Sequence, residues 1–162
     1  MGPSYAENYH TFCPLAPKSV LETTDINQVA IQEPFLLTSI LTIASKDNPR
    51  FRDMHQLCWQ SMKQHMLDIV LAVPYTLNVG SVEGLILLSE WVPYQLPAAY
   101  RNPRLNHKNL SSVEDNMAWS FIGQAVRNAY LLRLDNTSFR ESNPGGSRIQ
   151  DDRERLAWIC KF

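Results

Sequence analysis

The stretch that decides the fold, residues 82–91, reads Val82-Glu-Gly-Leu-Ile-Leu-Leu-Ser-Glu-Trp91 and is followed by Val92-Pro93. Only two Glu and one Ser interrupt its apolar character, and the run is too short to cross a bilayer. Such a run is typical of a helix at the centre of a protein. We therefore predict a central core helix here, with the apolar patterns of residues 36–44 and 117–132 packed against it.

Local signals indicate where this central helix begins and ends. Asn78 or Ser81 is a candidate N-cap, because either side chain can accept a hydrogen bond from a free backbone N–H. Pro93 ends the helix, since the residue before a proline avoids the helical region. Gly84 lies inside the helix, where glycine costs about 1 kcal/mol relative to alanine. We expect a neighbouring element to approach closely at Gly84.

Two helical patterns precede the central stretch. Pro34 opens the first at the position where a missing N–H has no cost, and the turn residues 47–49 end it. Residues 51–71 form the second, with apolar side chains at three- and four-residue steps and a stop at Pro74. Both patterns predict helices that lie on the core.

Two further helical patterns follow the central stretch. Ser111 and Glu114 form a capping box, which predicts a helix over residues 112–134. Gly123 and Ala125 are small, so this helix permits close contact with another helix. Residues 151–162 begin a last helix, and its pattern runs on without a terminating Gly, Asn or Pro. We therefore expect the chain to be a fragment, truncated at its C-terminus.

The organisation predicted from these patterns is one helical domain behind an arm. Residues 1–33 contain several prolines and predict an irregular N-terminal arm, with at most a short helix within residues 19–30. Residues 34–162 predict the helical domain, because no period-2 run flanked by hairpin turns occurs. Within it, residues 92–109 predict a long loop and residues 136–150 a polar, flexible linker.

Composition excludes several classes of function. The 162 residues suit one domain with a real core, 44% of them are hydrophobic, and the formal net charge is -1. A net charge this small gives no bulk basic surface for nucleic acid. The three cysteines are far apart and form no CxxC pair, which indicates reduced thiols in an intracellular protein rather than a zinc site.

Residues that could carry chemistry are few. His55 and Cys58 are spaced to place two metal ligands together on a helix, but no further ligand accompanies them, and Cys58 lies on an apolar face. Glu83 and Glu90 are two helical turns apart, and a solvated or interhelical face explains them better than acid–base chemistry. No GxSxG, GxGxxG or P-loop motif occurs. The sequence predicts no catalytic, cofactor-binding or metal residue, and no enzyme.

The last third of the chain has a basic tendency. Its arginines are interleaved with Asp and Glu, so a mixed-charge surface is favoured over a nucleic-acid face. The arginines considered are Arg127, Arg133, Arg140, Arg148, Arg153 and Arg155.

Four segments carry motifs that occur together, in this order, in one known family. Residues 34–45 are similar to P-x-L-L-x-x-x-L-x-x-A-S, and residues 82–91 to V-x-A-L-L-L-L-x-x-x. Residues 118–135 are similar to A-W-x-x-I-G-x-A-I-R-x-A-x-x-L-G-L-H, the most specific match, and residues 153–158 to R-R-R-L-W-W. In these segments the chain resembles the middle homology region of fungal zinc-cluster transcription factors. Arg133 stands where that family usually has Gly, and Ala157 where it often has Trp.

The resemblance implies an all-α, multi-helix regulatory domain that acts in the nucleus. It implies regulation of RNA polymerase II transcription through a conformational response to a partner or effector metabolite. DNA and zinc binding would belong to the family's six-cysteine head, which is missing from this chain, so no cofactor is expected here. Expected partners are other proteins or other parts of the factor, an effector metabolite and a second copy, and no membrane. The alternative is a helical protein–protein interaction module that works alone.

Overall fold

The computed structural model describes residues 5–93, 107–139 and 148–160. Within these ranges the chain forms nine helices and no strand, which confirms the all-α prediction. The helices are α1 (Ala6–His10, a π-helical turn), α2 (Lys18–Leu21), α3 (Ile26–Gln32), α4 (Pro34–Ser45), α5 (Arg52–Val70), α6 (Val79–Glu90), α7 (His107–Leu131), α8 (Leu134–Phe139) and α9 (Arg148–Cys160). Short 3-10 turns at Pro49–Phe51 and Pro74–Thr76 flank α5. None of the helices in these ranges is long and apolar enough to cross a membrane.

The central helix is α6, as the apolar run predicts. Every residue from Val79 to Leu88 is buried, because α4, α7 and α9 all contact this helix. Asn78 is the N-cap, and its side chain accepts a hydrogen bond from the backbone N–H of Ser81 at 2.8 Å. Ser81 itself lies inside the helix, so of the two predicted caps Asn78 is the correct one.

Gly84 is the point at which α4 approaches α6 most closely, and the expectation of a close neighbour is confirmed. A Cβ on Gly84 would lie 2.8 Å from Cδ1 of Phe35 and 2.9 Å from Oγ of Ser39. Both distances are shorter than a van der Waals contact, so only glycine fits here without movement of α4. The glycine therefore lets the Phe35 ring lie directly on the α6 backbone.

The helices α4 and α5 begin and end where the sequence predicts. Pro34 is the first residue of α4, and most of that helix is buried. On α5, His55, Met62 and Ile69 point into the core, which gives the helix the two faces expected from its pattern. The positions of α4 and α5 in the chain therefore follow directly from hydrophobic periodicity.

The N-terminal residues differ from the predicted irregular arm. Residues 6–32 contain three short helices, and Tyr5, Leu15 and Ala16 belong to the same buried cluster as α6. Tyr9 lies edge-on to Trp91 with ring centroids 5.5 Å apart, and its hydroxyl donates to Asp47 at 2.6 Å. The prolines prevent a long helix here, but Tyr5 is still buried in the core and Tyr9 packs against it, whereas Phe12 is exposed.

The connections around α7 also differ from prediction. The helix begins at His107, so Ser111 lies inside it and cannot be its N-cap. The predicted linker of residues 136–150 contains most of α8 and the first turn of α9. The predicted loop of residues 92–109 lies for the most part outside the described residues.

Among the residues that the structure describes, two that are not glycine adopt the left-handed backbone conformation that favours glycine. Ala72 has φ 53° just after α5, and Arg133 has φ 56° between α7 and α8. At Ala72 the helix closes with the backbone N–H of Val73 donating to the carbonyl of Asp68, a common helix ending. Each of these residues therefore carries strain that a glycine would not.

Replacing Arg133 by glycine should stabilise the protein by about 1 kcal/mol, because an L-residue loses roughly that much in the left-handed region. Urea denaturation measures the change. Ala72→Gly should stabilise by a similar amount, whereas Ala30→Gly, on an exposed position of α3, should destabilise by about 1 kcal/mol. A loss of stability in both R133G and A72G would contradict this reading of the two turns.

Candidate functional site

A buried cluster of charged side chains links three distant parts of the chain. Arg153 of α9 donates from Nε to Oε1 of Glu83 at 2.8 Å and from Nη2 to Oε2 of Glu83 at 2.6 Å. It also donates from Nη1 to Oε1 of Glu33 at 2.7 Å. We call these three residues the Glu–Arg–Glu cluster. It joins α6 to α9 and to the residue that precedes α4.

The local structure explains how these three side chains meet. Glu33 occupies the break between α3 and α4, where Pro34 begins a new helix. Glu83 lies in the second turn of α6, and its side chain points toward α9. Gly80 lies one turn earlier, and a Cβ there would fall 1.7 Å from Oε2 of Glu33 and 3.2 Å from Nη2 of Arg153. A glycine at this position therefore makes room for both side chains.

The cluster lies largely away from water. The side chain of Glu83 is 1% exposed, and those of Arg153 and Glu33 are 19% and 17% exposed. Burial raises the pKa of the Glu83 carboxyl, and the N–H donors of Arg153 oppose this rise. Burial alone would lower the pKa of Arg153, but the two carboxylates outweigh it and the net shift is upward. Because both oxygens of Glu83 accept an N–H of the guanidinium, we assign Glu83 as a carboxylate.

One oxygen of the cluster is left without a partner. Oε2 of Glu33 is buried and accepts no hydrogen bond from the described residues. Two carboxylates share one guanidinium, so the cluster carries one negative charge more than it has positive charges. An unpaired buried oxygen of this kind lowers the stability of the folded state.

The sequence placed these residues differently. Glu83 was paired with Glu90 on one side of the central helix, but Glu83 is buried against α9 while Glu90 is exposed. Each carboxylate lies where the sequence favours it, on an interhelical or solvated face rather than in an acid–base pair. Glu83 lies at a helix interface and Glu90 faces solvent. Arg153 was assigned to a mixed-charge surface, and that assignment is wrong. The sequence signal that could have predicted a buried Arg153 is Ala157, one helical turn later. Ala157 is 0% exposed and lies on the inner face of α9.

His55 and Cys58 do not form a ligand pair. His55 is 2% exposed, and its Nδ1 lies 3.1 Å from the carbonyl oxygen of Thr42 and 3.1 Å from Oγ of Ser45. Burial lowers the pKa of His55, so the neutral ring donates from Nδ1 to Thr42 and ties α5 to the end of α4. Burial raises the pKa of the Cys58 thiol, which makes it a poor nucleophile.

A second group of hydrogen-bonded polar side chains lies at the turn after α5. The hydroxyl of Tyr75 donates to Oδ2 of Asp68 and lies 3.2 Å from Nδ1 of His65. Burial and the Asp68 carboxylate raise the pKa of Tyr75 to about 12, so its hydroxyl keeps its proton at neutral pH. These contacts hold the Pro74–Thr76 turn against α5, where the His65 ring also lies edge-on to Phe35 with centroids 6.4 Å apart.

No metal site is evident in the part of the chain that the structure describes. No three His, Cys, Asp or Glu side chains there lie close enough together to hold a metal ion. A cavity of about 110 Å³ lies between α2, α3 and α4 and is smaller than the roughly 300–1,000 Å³ of typical ligand pockets. Its lining is apolar apart from Thr23 and consists of Val20, Leu21, Thr23, Ile26, Leu37, Ile40, Leu41 and Ala44.

Comparison of this chain with protein families, with curated proteins and with solved structures found no match.

Proposed function

We propose that this chain is the helical regulatory region of a fungal zinc-cluster transcription factor, and that it regulates RNA polymerase II transcription in the nucleus. The observation that carries the proposal is where the four motif segments lie. They fall on α4, α6, α7 and α9, and α6 contacts each of the other three. Segments that resemble one family in order also form one packed unit here, with the Glu83–Arg153 pair joining the second segment to the fourth.

A departure from the family pattern also supports the proposal. Arg133 stands where the resembled family usually has Gly, and it is one of the two left-handed non-glycine residues among those described. Glycine is the residue that this conformation favours at the end of a helix. The backbone between α7 and α8 is therefore the one that the family's glycine would adopt, although the side chain differs.

The proposed mechanism is conformational and uses α9 as the moving part. The Glu–Arg–Glu cluster and Ala157 hold α9 on α6. Movement of α9 away from α6 would expose the buried carboxylate of Glu83. A partner or effector that binds the released state more tightly would shift the population toward it. The helices then act as a scaffold that restrains an activation segment in one state and exposes it in the other.

A reporter assay in yeast tests this role. The full chain is placed between an unrelated DNA-binding domain and an activation domain, and a flexible linker of equal length replaces it in the control. We expect the chain to lower reporter output several-fold, because the packed scaffold restrains the activation domain. Arg153→Met should restore much of the output, because it releases α9.

An immunoblot measures the amount of each fusion protein. It shows whether a change in reporter output reflects released restraint or a lower amount of the fusion protein. Arg155→Met, on the same helix, is the matched control and should leave the restraint intact. Equal output from the chain and the linker, together with no effect of R153M, would overturn the proposal.

A helical interaction module is the second candidate, and the outer face of α5 favours it. Leu57, Leu67 and Val70 on this helix, and Leu71 at its C-cap, are each more than half exposed. Exposed apolar residues that lie together on one helix are typical of a protein–protein contact. A chain that binds a protein through this face, and that has no effect in the reporter assay, would fit this candidate instead.

A further inference from the structure

Two cysteines from opposite ends of the chain lie near the C-terminal end of α6. Cys13 follows α1 and packs against the buried cluster, whereas Cys160 is the last residue of α9. Both are free thiols, with Cys13 partly buried and Cys160 exposed. Neither belongs to the Glu–Arg–Glu cluster, so the proposed function assigns them no role.

The N-terminal segment reaches the end of α6 through an aromatic contact. The ring of Tyr9 lies edge-on to that of Trp91, the C-cap residue of α6, with ring centroids 5.5 Å apart. The backbone N–H of Cys13 donates to the carbonyl oxygen of Tyr9 at 3.2 Å, which keeps Cys13 within one helical turn of this contact. Cys13 therefore lies close to the last turn of α6.

The spacing of residues on α6 and α9 brings Cys160 to the same level. Arg153 donates to both carboxylate oxygens of Glu83, and Cys160 follows Arg153 by seven residues, just as Glu90 follows Glu83 by seven. Seven residues are two helical turns, about 10 Å along the axis, and return to the same side of a helix. Ala157 lies between Arg153 and Cys160 and is fully buried. Parallel packing of α9 on α6 would therefore place Cys160 beside Glu90.

The charges around Cys13 support this parallel arrangement. Burial raises the pKa of the Cys13 thiol, and the negative charges of Cys160 and Glu90 raise it further. An antiparallel α9 would place Cys160 about 20 Å from Glu90, too far for Cys13 to lie close to both. The two thiols and the Glu90 carboxylate therefore meet at one end of α6.

We propose that Cys13 and Cys160 are a redox-sensitive pair, which forms a disulfide under oxidising conditions and fastens the last turn of α9 to the N-terminal segment. In a reducing compartment both thiols stay free. A disulfide spans Cα atoms up to about 7 Å apart. Cys160 is in the terminal turn of its helix, where helices fray, so the pair can close without moving the core.

Oxidised glutathione supplies the oxidising equivalents. The Cys160 thiolate attacks one sulfur of glutathione disulfide, which forms a mixed disulfide and releases one glutathione as its thiolate. The Cys13 thiolate then attacks Sγ of Cys160, which forms the bond within the chain and releases the second glutathione. Two protein thiols are thus oxidised, one glutathione disulfide is reduced, and the two released thiolates take up the two protons. Burial raises the pKa of both thiols, so closure should speed up between about pH 7 and pH 9.

The disulfide would hold the end of α9, whereas the Glu–Arg–Glu cluster holds its first half. Its regulatory effect, which is to lock α9 in the restrained state, rests on the proposed function. Formation of the bond does not, because it depends only on the positions of the two thiols. Failure of the reporter assay would therefore leave the disulfide intact, and absence of the disulfide would leave the reporter result intact.

Thiol labelling of the full chain tests whether the bond forms. After incubation with oxidised glutathione at about pH 8, a maleimide reagent should label only Cys58 of the three cysteines, and peptide mapping by mass spectrometry should show Cys13 linked to Cys160. Cys160→Ser removes an exposed side chain and should leave the circular dichroism spectrum unchanged. In C160S, Cys13 should stay reduced, because a partly buried thiol with a raised pKa reacts slowly by itself.

The rate of closure and the thermal stability test the geometry. Arg153→Met should slow closure about tenfold or more, because α9 is no longer held on α6 and the effective concentration of Cys160 falls. Arg155→Met is the matched control and should slow it less. Oxidation should raise Tm by about 5 °C or more in the wild-type chain, and not in C160S.

Four results would overturn the proposal. They are three free thiols after oxidation, a link that involves Cys58, a mixed disulfide of Cys160 with glutathione that persists while Cys13 stays free, and closure in R153M as fast as in the wild-type chain.

Discussion

Arg153→Met should destabilise the protein by about 3 kcal/mol, toward the lower end of the range for breaking a buried ion pair. The substitution keeps the aliphatic length of the side chain and removes the cation, which leaves Glu83 buried at 1% exposure without a donor. The lower end applies because the Arg153 side chain itself retains 19% exposure. Chemical denaturation monitored by the tryptophan fluorescence of the chain measures the loss.

The pH dependence of this variant identifies the cause. Burial already raises the pKa of Glu83, and without Arg153 the opposing donors are gone, so the pKa rises further. The folded state then holds a proton that the unfolded state has released, and stability falls as pH rises from the unfolded value of about 4.3 through the folded pKa. We therefore expect R153M to lie closer to wild-type stability at pH 5 than at pH 8.

Two further variants distinguish the loss of the ion pair from a general destabilisation of α9. Arg155→Met removes a partly exposed side chain whose pair with Asp152 is long, at 3.7 Å, and should cost less stability than R153M. Glu83→Met combined with R153M should be more stable than R153M alone, since it removes the buried carboxylate of Glu83 that R153M leaves without a donor, while Glu33 loses its donor equally in both variants. A double variant less stable than R153M would contradict the assignment of the loss to an orphaned carboxylate.

Gly84→Ala should destabilise the protein by about 1–2 kcal/mol, although alanine is the better helix former. The new methyl group would lie 2.8 Å from the Phe35 ring, and that ring is only 2% exposed and cannot move into solvent. Overpacking of this kind costs about 1–3 kcal/mol, which exceeds the gain of roughly 0.5–1 kcal/mol from helix propensity. Thermal and urea denaturation should both report the loss.

Gly123→Ala is the matched control, because it is the same substitution inside another helix. Nothing among the described residues lies within 4 Å of the new methyl group, so only helix propensity acts and stability should rise by about 0.5–1 kcal/mol. A G84A variant as stable as G123A would show that α4 can move away from α6.

The helices that local sequence patterns define could be predicted from the sequence. Periodicity located α4 and α5 to within a few residues, and the apolar run located α6. The sequence left its cap open between Asn78 and Ser81, and the structure shows that it is Asn78. The cost of a glycine inside a helix also predicted the close approach at Gly84. Each of these inferences uses only the local chain and the need to bury an apolar face.

Before Pro34 the sequence predicts an irregular arm with at most one short helix, within residues 19–30, because local signals there conflict. Proline argues against a long helix, and α2 and α3 are only 4 and 7 residues long. Their stability comes from packing, with Val29 buried on α3 and Leu15 and Ala16 buried in the preceding turn. Helices this short are not stable by propensity alone, so tertiary contacts decide whether they form.

By itself, the sequence determined that this protein is all-helical and that residues 82–91 lie at its centre, because both follow from the period and density of apolar side chains. Only the tertiary structure decided the partners of its charged residues. Arg153 meets Glu83 across 70 positions and Glu33 across 120, and no local pattern records such a pairing. Likewise, Gly84 and Gly123 are both glycines inside helices, yet one is crowded and the other open. The physical reason is that burial depends on which helix faces which, and that is set by the packing of the whole chain rather than by any one segment.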